Sequence, residues 1–132
     1  MRHAVLIALL VVAVSLVRGQ IVDPSTVPES SYFDEIVSGS FTEGELMDTV
    51  PLPAANPRPC YDIYVRNLSG SGGSLRVRPR KPGDTQGGNE PPVDVLEPGQ
   101  VSHFVCDFTH IELENMPSGS TVLYEVAYKK LG

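Results

Sequence analysis

The chain has 132 residues, a formal net charge of −6 and no tryptophan. A length of this order holds one domain with little surplus core, and an acidic balance disfavours polyanions such as nucleic acid as partners. Two cysteines are too few for a cysteine-rich scaffold or a clustered zinc site.

The amino terminus carries the most specific signal. Met1-Arg2-His3 precedes an uncharged run of 14 residues from Ala4 to Val17, followed by Arg18, Gly19 and Gln20. A short basic segment, an apolar run and small residues at the −1 and −3 positions predict a secretory signal peptide over residues 1–19, cut before Gln20. An earlier cut after Ser15, with Ala13 at −3, is the alternative. The run is shorter than the roughly 20 residues a membrane span needs, and no second run of that length follows. The carboxyl-terminal Tyr128-Lys129-Lys130-Leu131-Gly132 shows neither a retention signal nor a lipid-anchor tail. The expectation is a secreted, extracellular protein without a membrane span.

Residues 20–58 form an acidic, proline-containing arm. Between Gln20 and Pro57 there are seven acids and no Lys or Arg, and six prolines precede Cys60. One-sign charge with scattered prolines disfavours an independent fold, so the arm is expected to be mostly extended and irregular. Ser30-Ser31 offers a cap for one short helical turn through Tyr32, Phe33, Ile36 and Val37, with Asp34 and Glu35 in its first turn. A removable pro-segment is a competing reading, although no clear dibasic site divides the two parts.

From residue 59 to 132 the pattern changes to period two, the mark of half-buried strands. Tyr61, Ile63 and Val65 share one face, then Leu75 and Val77. Ser102, Phe104, Cys106 and Phe108 follow, then Ile111 with Leu113, and finally Val122, Tyr124, Val126 and Tyr128. A short run, Val93 to Leu96, adds a further strand. Glu97-Pro98-Gly99-Gln100 has the Pro-Gly pair a type II turn requires. Six strands with frequent turn signals predict an all-β fold, a small antiparallel sandwich or partly open barrel.

In an exported chain, Cys60 and Cys106 are most simply a disulfide, tying the first of these strands to the fourth across two sheets. Closing a loop of that length stabilises a fold by about 4 kcal/mol on the chain-entropy account. An intermolecular bridge is the weaker alternative. Asn67-Leu68-Ser69 is a glycosylation sequon in a turn-like segment, which marks Asn67 for a glycan.

Arg76, Arg78 and Arg80 fall two apart with Lys81 beside them, so a strand through them projects a basic row from one face. Such a stripe suits a sulfated glycan, a phosphate or an acidic protein surface. The plainer reading is charge that guards a sheet edge. A sharper one folds the acidic arm back onto the stripe. The arm's dispersed carboxylates also suit weak calcium or mineral contact, since carboxylates are ligands of hard cations.

His103, Asp107, His110, Glu112 and Glu114 are ligand types, but alternation places them on different faces and no H-E-x-x-H motif is present. No G-x-S-x-G elbow occurs. The sequence therefore predicts no enzyme and no cofactor. It predicts a secreted structural or interaction component of an extracellular matrix, a calcified one included, with matrix protein, acidic glycan or mineral as candidate partners. The alternative is a diffusible secreted effector, acting in defence, venom, signalling or inhibition, with the loop from Pro82 to Pro91 as its contact.

Overall fold

The computed structural model describes residues 20–42, 45–55, 57–80 and 94–131, and of Cys106 the backbone alone. The expected signal peptide, Lys81 and the loop from Pro82 to Pro91 lie outside the described residues.

Among the described residues the strands are β1 (Gln20–Val22), β2 (Glu35–Phe41), β3 (Met47–Pro51), β4 (Cys60–Asn67), β5 (Ser74–Arg80), β6 (Asp94–Leu96), β7 (Val101–Cys106), β8 (His110–Met116) and β9 (Val122–Leu131). They form two sheets, ordered β1-β7-β4-β9-β2 and β3-β8-β5-β6, with every pairing antiparallel. The architecture is a small β-sandwich, open at its flanks rather than closed into a barrel.

The expected faces meet in the middle. Tyr61, Ile63, Val65, Phe104, Val122, Val126 and Tyr128 of one sheet pack against Leu75, Val77, Leu96, Ile111 and Leu113 of the other, all almost fully buried. Alternation in each strand puts these residues on one side of the pleat, and burial of their apolar area is the main favourable term in folding. The turn after β6 forms as its residues predict. Gly99 has φ of 90°, and Gln100 N–H donates to Glu97 O at 3.0 Å.

The acidic arm is extended, yet it is part of the sandwich rather than an appendage. It supplies β1 and β2 as the two edges of the first sheet and β3 as one edge of the second. Between β1 and β2 the chain crosses the outer face of the first sheet as a strap from residue 23 to 34. The helical turn expected after Ser30-Ser31 is a single 3-10 turn, Ser30–Tyr32, and by Glu35 the chain is already strand. Ile36 and Val37 are therefore strand residues. Pairing of β2 with β9 along its full length outweighs a helix that only one capped turn would start.

Tyr124 bridges the sheets at one flank. It stands opposite Gly39 of β2, and its ring lies over that glycine to reach Asp48 of β3. A Cβ on residue 39 would fall inside the Tyr124 ring, so glycine is required there by close approach.

Candidate functional site

The arginine stripe is present but it is not free. Arg76 and Arg78 of β5 stand directly opposite Glu114 and Glu112 of β8, and Arg80 stands opposite His110. The ion-pair distances are 3.6 Å for Arg76–Glu114, 3.8 Å for Arg78–Glu112 and 3.2 Å for Arg80–Glu112, with His110 Nε2 a further 3.6 Å from Glu112. Arg80 is 1% exposed and Glu112 5% exposed. The stripe is thus a cross-strand ladder in which three arginines face two glutamates of the same sheet. Its counter-charges come from β8 and not from the acidic arm, which joins this sheet through the β3–β8 backbone ladder. The ion pairs of the described arginines are with β8 and not with the acidic arm.

Asn67 is also structural. It is fully buried at the end of β4, and its Nδ2 donates to Gly73 O at 3.0 Å and Leu96 O at 2.8 Å. A glycan on that nitrogen and these two bonds exclude each other, so the fold gives the glycosylation reading no support. The sequon lies at the mouth of a turn, as expected, but the asparagine faces inward because residue 67 continues the buried parity of Tyr61, Ile63 and Val65.

The two cysteines lie on neighbouring strands of one sheet, not across the two sheets. Cys106 stands opposite Tyr61, one position away from Cys60. Cys60 is exposed and has no disulfide partner among the described residues, and the Cys106 side chain lies outside them.

His103 and the group His110, Glu112 and Glu114 separate onto the outer faces of opposite sheets. His103 joins a cluster that pins the strap. Its Nε2 contacts Asp62, its ring stacks on Tyr64 at 4.2 Å, and Tyr32 of the strap donates to Asp62 at 2.6 Å. Phe33 meets Tyr64 edge-on at 5.6 Å, and Lys129 sits 5.2 Å from the Tyr32 ring. Such ring contacts each add about 0.5–1.5 kcal/mol beyond burial. Every polar member of this cluster holds chain to chain.

A cleft of about 1010 Å³ opens at the flank where β2 and β3 run side by side as edges of different sheets. Two tyrosines line it, Tyr124 donating to Asp48 and Tyr128 donating to Glu35. Glu35, Glu45 and Asp48 also line it, and no basic residue does so among the described residues. Sequence reasoning passed over this flank. The available signal was Gly39 inside a strand pattern, together with inward tyrosines whose hydroxyls require partners.

These contacts shift the phenols. Tyr32 is pushed up to about 12, first by its hydrogen bond to Asp62 and then by burial. Burial first, then the bonds to Asp48 and Glu35, raise Tyr124 and Tyr128 well above the ordinary value near 10. Each folded phenol holds its proton more tightly than the unfolded one. Their contribution to stability is therefore complete below about pH 10 and lost as the pH climbs through the folded values. An absorbance titration should show the native protein ionising its phenols later than the same protein in denaturant. Superimposable curves would remove these three bonds from the account.

No family model matches the chain, and no curated protein matches it. Among solved structures, one from the Bacillus endospore appendages, described as a novel family of disulfide-linked pili, aligns with 74% of this chain and 87% of that chain at 15% identity and a TM-score of 0.44. That degree of likeness carries nothing about function.

Proposed function

We propose that this is an exported, non-catalytic β-sandwich that serves as a structural or interaction component of an extracellular matrix. The observation that supports the reading is the flank between β2 and β3. The cleft there is framed by two sheet edges and by tyrosine–carboxylate pairs, a contact surface rather than a reaction centre. The other polar constellations, the arginine–glutamate ladder and the cluster under the strap, are engaged in holding strands together.

Mass spectrometry of the native protein, fraction by fraction, tests this. The expected result is a chain beginning at Gln20, its glutamine cyclised, recovered from insoluble extracellular material only with chelator or denaturant. Recovery wholly free in fluid would favour a diffusible effector, and retention of residues 1–19 would overturn export.

A further inference from the structure

A sandwich has four sheet edges, and each presents backbone N–H and C=O groups that another strand can pair with. Two of them, β1 and β6, border residues outside those described. β3 is guarded chemically. Leu52 N–H turns toward the neighbouring β8 side, donating to Thr109 O at 3.0 Å. By strand alternation, Thr49 and Pro51 then turn toward the open flank. The Thr49 N–H is already taken by the Asp48 carboxylate at 2.9 Å, and Pro51 has no N–H to give.

The fourth edge is different. β2 runs seven residues, Glu-Ile-Val-Ser-Gly-Ser-Phe, with neither proline nor lysine, and its outer side has no strand partner among the described residues. It borders the 1010 Å³ cleft, so an added strand would find both a backbone ladder and room for side chains. Glu35, Glu45 and Asp48 set the sign of what enters. A second copy pairing β2 to β2 would bring together two segments that each hold seven acids and no base, and like charges facing each other oppose such pairing.

We infer that the free edge of β2 accepts an extended basic segment of another polypeptide as an added strand, with Lys or Arg side chains directed at the carboxylates of the cleft. Main-chain hydrogen bonds would supply affinity, and the alternating side chains selectivity, as in other strand-addition interfaces. The inference rests on the reading of the domain as an interaction module, and it is tested independently of export.

The probe is an end-capped peptide of alternating Lys and Val, compared with its Glu-Val counterpart and with a version N-methylated at alternate amides. Fluorescence anisotropy with the full mature chain should show binding of the Lys-Val peptide, at least tenfold weaker on N-methylation, weaker in high salt, and absent for Glu-Val. Hydrogen exchange should show new protection confined to residues 35–41. Glu45→Lys, an exposed position outside the strands, should weaken binding several-fold with an unchanged melting temperature. No binding, equal binding of the Glu-Val peptide, or protection at another edge would overturn the inference. So would a dimer whose β2 amides are protected without peptide. If export fails while the peptide binds as described, only the cellular setting is lost.

Discussion

Replacing Glu112 with Ala should destabilise the domain by about 3–5 kcal/mol, the usual effect of removing one partner from a buried charge pair. Glu112 is the carboxylate nearest to Arg78, Arg80 and His110 alike, and it is almost fully buried. Its loss leaves a cationic cluster whose attraction to the carboxylate operated at low effective dielectric, and whose desolvation cost persists. The neighbouring rung supplies the control. Arg76 and Glu114 are each about one-third exposed on their side chains, so Glu114→Ala should cost at most about 1 kcal/mol. Urea denaturation of the two variants checks the contrast. Equal, small shifts would show that burial of the ladder does not make Glu112 a linchpin. Since small domains hold roughly 5–15 kcal/mol in total, the larger effect would leave Glu112→Ala only marginally folded at physiological temperature.

Asn67→Ala is the second large effect. The variant loses two hydrogen bonds and leaves the carbonyls of Gly73 and Leu96 facing a site without a donor. Each unsatisfied buried group costs about 1–3 kcal/mol, so a total of roughly 2–4 kcal/mol is expected. Asn67→Asp should be at least as harmful at neutral pH, because a carboxylate cannot donate and burying its charge is costly. Peptide mapping of the protein from a eukaryotic secretory host should find Asn67 unmodified. A glycan on Asn67 in protein that melts cooperatively would contradict the buried placement. Asn67→Asp keeps the volume of the asparagine, so its loss reports on chemistry rather than on a cavity.

The sandwich core was legible because period two is a strong code. Tyr61, Ile63, Val65, Leu75, Val77, Phe104, Ile111, Leu113 and the inward residues of β9 were assigned to the core by alternation alone, and they fill it. The arm was harder. Its acids and prolines mask three strands whose stability comes from partners far along the chain, β1 from β7, β2 from β9 and β3 from β8. Local composition reports propensity, and here long-range pairing overrides it.

The surroundings of the candidate sites were hidden for a related reason. A row of arginines reads as a surface for outside anions until the opposite strand is known, and only register brings Glu112 and Glu114 against it. Asn67 matched a surface motif but held a core parity. The open flank was invisible because it joins edges of two sheets, a property of topology that no single window of sequence contains.

The place of β9 bears on how the chain is made. The last strand synthesised lies between β4 and β2, so β2 has nothing to pair with until the carboxyl-terminal residues are available. Closing such distant segments is slow, because loop-closure entropy must be overcome before the contacts reward it. A growing chain of this sequence stays incompletely folded until β9 has been made, and up to that point the segment that becomes β2 remains open to other partners.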